Sequence, residues 1–322
     1  MARRALVLGG GGVTGIAWET GVLCALRDSG VDVQGWDTVI GSSAGSYVGA
    51  RLLAGQLNAL RASQLHEHPL LVDRRLSAAA GTRLVHTLRI GRRRGMRWVP
   101  QFCVATVGLV TLGAYAVTRG PQSVHEAGAS LRARRLGAPI TSSDIVRLGD
   151  LAMVRRPPDN PLWVEYWRRE LRNAPWPERL VVTAVDLATG ALATFGRGSG
   201  APLARAVAAS TAVLLLVGPV AIGERRYGDG GTASATNADL ALGYDRVLIV
   251  APLDRGTLTA EADALRAAGS DVVVVRPGES AAHLGRGLMT LDVRRRADSL
   301  RAGYADGAAA AAAWARLDRV TV

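Results

Sequence analysis

No lysine occurs anywhere in the 322 residues, so the 39 basic side chains are all arginine, set against 27 acids. Cysteine is almost as scarce: only Cys24 and Cys103 are present. Two cysteines so far apart make neither a disulfide framework nor a metal site, which needs closer and more numerous ligands. Both are expected to be small buried hydrophobes, and no metal or cofactor is expected. The apolar run Ala5 to Leu8 is too short for the core of a signal peptide and runs straight into glycines. Export is therefore not expected, and a cytoplasmic location is. There is also no stretch polar and featureless enough to preclude folding. A chain of 322 residues suits one large α/β domain or two smaller ones.

Charge is unevenly placed. Residues 74–143 hold twelve arginines and a single acid, Glu126, so nearly all of the chain's net +12 lies there. Such a block is attracted to anionic surfaces, either lipid headgroups or nucleic-acid phosphates. Nucleic acid is not expected as a partner, because no recognised binding module is present and few aromatic residues stand near the arginines for base stacking. Inside the block, Trp98 to Thr118 runs for 21 residues without a charge, between Arg97 and Arg119. That length could cross a bilayer. However, it contains Pro100, Gln101, Gly108 and Gly113, and a single crossing would put the two halves of one sheet on opposite sides of the membrane. A buried helix, an interfacial segment and a span all stay open.

The order of elements is α/β. Ala5 to Leu8 reads as a buried strand followed by glycines and a helix from about Gly15 to Asp28. Thr38 to Ile40 reads as a second strand, entering Gly41 to Gly45 and a helix near Ser46. Two strands each feeding a helix through a glycine turn predict a parallel sheet with helices on both faces. Residues 56–175 show no comparable strands and read as a helical insertion. Strands resume at Leu180 to Val185, Ala191 to Phe195, Arg246 to Ala251 and Asp271 to Val275. A helix from Thr257 to Ala268 lies between the last two, and Asp298 to Leu317, rich in alanine, suits a terminal helix. The expectation is a single domain over 1–322, a three-layer α/β/α fold with a mainly parallel central sheet and an arginine-rich helical insertion at 56–175.

Three motifs carry chemistry. Gly41-Ser42-Ser43-Ala44-Gly45 matches the Gly-x-Ser-x-Gly nucleophile elbow and stands between a strand and a helix, where the tight turn forbids bulk two residues either side of Ser43. The following helix aims its N-terminal amides at that point, which favours developing negative charge. A serine also needs a base and an oxyanion hole. Gly9 to Gly12, leading to Gly15, offers unobstructed backbone amides at the start of the first helix. Gly10, Gly12 and Gly15 equally satisfy the Gly-x-Gly-x-x-Gly dinucleotide fingerprint, but the second strand then leads into the Ser43 elbow instead of ending in a ribose-binding acid. Asp229-Gly230-Gly231 places a carboxylate in a glycine turn, a pair common in ordinary turns as well.

In this order the three motifs resemble the patatin-like phospholipase family. The resemblance extends to Ala208-Ala209-Ser210-Thr211-Ala212, to Pro219 and to Asn237. It implies a serine acyl hydrolase, a lipase, phospholipase A or lysophospholipase-like esterase, acting on lipid or acyl-ester substrates. Ser43 would be the nucleophile, Asp229 the general base without a histidine, and amides near Gly10, Gly11 and Gly12 the oxyanion hole. Thr14 stands where the family often has a basic residue, and Leu214 where a proline often follows the alanine-serine segment. One rival is an α/β-hydrolase triad of Ser43, Asp254 and His283, although that fold normally has several strands before its elbow. Another is a non-catalytic membrane adaptor. Residues 74–119, through Arg89, Arg92, Arg93, Arg94 and Arg97, are expected to meet an anionic membrane surface, giving peripheral membrane association.

Overall fold

The computed structural model describes residues 2–65, 140–155, 159–214, 216–281, 284 and 290–319. The segment Trp98 to Thr118, the arginines between 74 and 119, Cys103 and His283 lie outside them. The strands are β1 (Arg4–Leu8), β2 (Thr38–Ser42), β3 (Leu180–Asp186), β4 (Leu192–Phe195), β5 (Val220–Ile222), β6 (Arg225–Asp229), β7 (Arg246–Val250) and β8 (Asp271–Val275). The helices are α1 (Gly12–Asp28), α2 (Ala44–Leu53), α3 (Leu57–Leu65), α4 (Ser142–Arg155), α5 (Pro161–Glu170), α6 (Leu203–Ser210), α7 (Leu258–Ala267) and α8 (Arg296–Arg319).

The eight strands form one mixed sheet in the order β5-β6-β3-β2-β1-β7-β8, with β4 also on β3. β3, β2, β1, β7 and β8 run parallel, whereas β4, β5 and β6 pair antiparallel. Both faces of the central strands are apolar, as parallel strands covered on each side require. In β1 and β7, Leu6, Leu8, Leu248 and Val250 join Trp18, Val22 and Trp314 in one core. Their neighbours Ala5, Val7, Val247 and Ile249 join Leu258, Ala262 and Leu265 of α7 in a second. Helices thus flank the sheet on both faces, the arrangement the alternating elements predict.

α1 and α8 approach so closely that a Cβ added at Gly303 would fall 2.0 Å from the Trp18 carbonyl oxygen. Trp18 Nε1 donates to Asp306 Oδ2 at 2.8 Å, tying the two helices by a polar contact as well. Within 56–175 the described elements, α3, α4 and α5, are helical. One local expectation shifts. α1 begins at Gly12, where φ is +60°, so that the glycine loop itself opens the helix. The region from Val220 is a hairpin that turns at Gly223 and continues as β6 to Asp229.

The edge of β3 positions the site. β2 pairs with Leu180 to Thr183, β6 with Ala184 to Asp186, and β4 with Val182 to Val185. Because β4 overlaps both of the others, it occupies one edge of β3 while β2 and β6 meet end to end along the opposite edge. β2 leaves that edge at Ser42, opposite Thr183, and Asp229 takes the next position, opposite Ala184. The residue that follows Ser42 is therefore delivered beside the last residue of β6.

Candidate active site

Ser43 sits between β2 and α2 with φ +52° and ψ −113°. A side chain in this region of backbone space is strained by about 1–3 kcal/mol, and the turn holds only because nothing bulky flanks it. A Cβ at Gly41 would lie 2.6 Å from both the Gly45 carbonyl oxygen and Ser46 Cα, and one at Gly45 would lie 2.1 Å from the Leu8 carbonyl oxygen. Two further bonds fix the turn: Ser46 Oγ donates to the Ser43 carbonyl at 2.6 Å, and the Ser43 amide donates to Ser210 Oγ at 2.9 Å. With its own amide taken, Ser43 directs its hydroxyl to Asp229, donating from Oγ to Oδ2 at 2.9 Å.

Asp229 aims its other oxygen, Oδ1, at the Gly231 amide, from which it accepts a bond of 2.7 Å. The Asp-Gly-Gly turn thus fixes the rotation of the carboxylate, leaving one oxygen to face Ser43. Both residues are largely shielded from water, Ser43 at 7% exposure and Asp229 at 6%.

The glycine loop lies against Ser43, since a Cβ at Gly10 would stand 3.4 Å from Ser43 Cβ. Of the three amides expected to face an oxyanion, that of Gly10 is already engaged. It donates to the Ala235 carbonyl at 2.7 Å, because Gly10 carries the extended line of β1 on against the loop after Asp229. The Gly11 and Gly12 amides, at the start of α1, donate to no acceptor among the described residues. The same holds for Ala44, the residue after Ser43 and the first of α2, which sequence reasoning passed over.

Of the rival triad, His283 lies outside the described residues. Asp254, the acid of the rival triad, is exposed, accepts from the Gly256 amide at 2.8 Å and lies 3.8 Å from Arg276.

Residues 6–100 match the family model described as Patatin-like phospholipase, a stretch that holds the glycine loop and Ser43 and ends before Asp229. Over these residues, less than half of the chain, it is similar to the patatin-like phospholipase family. Among solved structures, the chain is similar to VipD from Legionella pneumophila (14% identity, TM-score 0.44), covering 97% of this chain and 67% of that one. It is also similar to the type III effector protein ExoU (16% identity, TM-score 0.34), covering 97% of this chain and 53% of that one. No curated protein gives a significant sequence match.

The departures from the patatin-like pattern have local partners. Thr14 Oγ1 donates to the Thr290 carbonyl at 3.3 Å. Leu214 packs with Ile145, Leu148, Val185 and Leu187 and lies close enough to Gly228 that a Cβ there would meet its Cδ2 at 2.7 Å. The leucine therefore anchors β6 just ahead of Asp229.

Two buried groups were not assigned a role from sequence. Ser210, in the alanine-serine segment, is fully buried and serves as acceptor for the Ser43 amide. Glu19 on α1 is fully buried, and neither carboxyl oxygen has a hydrogen-bond partner among the described residues. Burial pushes its pKa well above the ordinary glutamate value, and the nearby Gly9 amide offsets this only in part. No spacing rule marks such an acid, since on a helix it reads as an ordinary surface residue.

Proposed function

We propose that this protein hydrolyses acyl esters of lipids through a Ser43–Asp229 dyad and an acyl-enzyme intermediate. The observation that carries the reading is the 2.9 Å bond from Ser43 Oγ to Asp229 Oδ2, made from a strained elbow at the N-terminus of α2. Ser43 Oγ attacks the ester carbonyl carbon while its proton passes to Asp229 Oδ2. The oxyanion that forms is met by the amides of Gly11 and Gly12 and by that of Ala44, aided by the N-terminal ends of α1 and α2. Each donor of this kind is commonly worth about 3 kcal/mol. Collapse of the intermediate breaks the bond to the alcohol, which takes the proton from Asp229. Water then attacks the acyl-Ser43 carbonyl and gives its proton to Asp229. Fatty acid leaves with that oxygen, and the proton returns to Ser43.

The low exposure of both residues suits this chemistry, because a dry site strengthens the interaction of the developing charge with fixed dipoles. The substrate surface we propose is anionic membrane, met by residues 74–119. Each arginine near such a surface contributes about 1 kcal/mol.

The test is hydrolysis of a panel of p-nitrophenyl acyl esters and phospholipids by Ser43→Ala, Asp229→Asn and His283→Ala. The first two are expected to lose activity by about 10⁴-fold or more, and the third to keep it. Loss in His283→Ala with a tolerant Asp229→Asn would sink the dyad, and a folded wild type with no activity on any ester would point to an adaptor.

A further inference from the structure

We infer that Glu261 is a positioning residue for the active site, acting through the loop 234–238; this rests on the Ser43–Asp229 reading above. The loop touches each part of the site. The Ala235 carbonyl accepts from the Gly10 amide at 2.7 Å, which ties it to the glycine loop. The Thr236 carbonyl accepts from Ser42 Oγ at 3.3 Å. Asn237, held at φ +52° in the left-handed region and fully enclosed, points Nδ2 at Ser42 Oγ (2.8 Å), the Ser234 carbonyl (3.0 Å) and the Gly230 carbonyl (3.3 Å). Ser42 precedes the nucleophile and Gly230 follows the base, so one side chain spans the two strand ends that meet on the edge of β3. Ser42 Oγ is further held by Thr183 Oγ1 at 2.7 Å.

A loop with these duties needs an anchor from outside, and α7 supplies it. Glu261, in the first turn of α7, receives the Ser234 hydroxyl on Oε1 and the Thr236 hydroxyl on Oε2. Oε2 also accepts from the Ala238 amide at 3.1 Å. A single carboxylate thus gathers three alternate residues of the loop, Ser234, Thr236 and Ala238, on the face of the sheet opposite α1, while the same loop holds Gly10, Ser42 and Gly230. Removing it frees the loop to shift. A displacement of about 1 Å at a reacting pair can cost 100-fold in rate.

The test uses the full-length chain and a fluorophosphonate ester that phosphonylates an activated serine, with the labelled peptide located by mass spectrometry and the melting temperature measured alongside. Wild type is expected to be labelled at Ser43. Glu261→Ala, assayed well below its melting temperature, is expected to react about 10- to 100-fold more slowly, with a lowered kcat and an unchanged KM for a p-nitrophenyl ester. Glu261→Gln is expected to recover most of the rate, since its oxygen can still accept from Thr236 and Ala238 while its amide donates to Ser234 Oγ. A folded Glu261→Ala labelled at Ser43 at the wild-type rate overturns the inference and leaves the dyad standing. Glu261→Gln as slow as Glu261→Ala also overturns it, because the carboxylate would then act by its charge. Should Glu261→Ala not fold, Thr236→Val removes one of its partners from the loop side and is held to the same rate criterion. A wild type labelled elsewhere, or not at all, overturns the dyad and this inference together.

Discussion

Ser210 contributes a single hydroxyl, yet it is the only described acceptor of the Ser43 amide. Ser210→Ala leaves that amide buried and unpaired, which costs about 1–3 kcal/mol. A urea titration is expected to show the loss as a lower midpoint at unchanged slope, and a midpoint equal to wild type would show that the amide finds another partner. Glu19 makes the opposite kind of contribution. In the unfolded chain it ionises near the ordinary value of 4.5, whereas in the fold burial keeps it protonated to a higher pH. Between those values the folded state binds the extra proton, so stability falls as pH rises through the window. Glu19→Gln cannot ionise and escapes this loss. Its melting temperature relative to wild type is therefore expected to rise from pH 4.5 towards neutrality; a difference that stays flat with pH would mean Glu19 ionises normally. Ser43, Asp229 and the glycine loop were legible because the elbow, the Asp-Gly-Gly turn and the loop each carry a pattern of small residues. Ser210 and Glu19 were not, since their significance lies in what touches them across the fold.

At the scale of elements, the close approach of α1 and α8 depends on the absence of side chains at their contact. Gly303→Ala would put a Cβ 2.0 Å from the Trp18 carbonyl oxygen, so the helices must part and lose the Trp18–Asp306 bond. A loss of about 1–3 kcal/mol is expected, read as a lower melting temperature. A melting temperature equal to wild type would show that α8 shifts without cost. The parallel strands β1, β2, β7 and β8 and the helices after them were legible from short apolar runs punctuated by glycines. The hairpin of β5 and β6 was not, because its pairing partners on β3 are long-range in sequence and the segment between Val220 and Asp229 carries both charge and glycine. Its position on the edge of β3 is nonetheless what brings Asp229 to Ser43.

On the scale of the whole molecule, the net positive charge is concentrated in residues 74–143, while the Ser43–Asp229 pair lies at the sheet. No helix among the described residues is long and apolar enough to cross a membrane; Trp98 to Thr118 lies outside them. If residues 74–119 dock the protein on lipid, co-sedimentation is expected with anionic vesicles and not with neutral ones, weakening as salt screens the arginines. Equal, salt-insensitive binding to both would exclude electrostatic docking.

The amino-acid sequence by itself determined which groups could react: a serine between two glycines, a carboxylate ahead of two more, and a run of amides without side chains. These are properties of local backbone geometry, and local geometry is written in residue size and spacing. Only the tertiary structure decided that the two groups meet, since β2 and β6 both end at adjacent positions along β3. It likewise decided that Gly10 spends its amide on Ala235 and that Glu261 gathers the loop behind the site. Strand pairing and buried hydrogen bonds join residues remote in sequence, and one chain read alone carries no mark of which distant partner each will find.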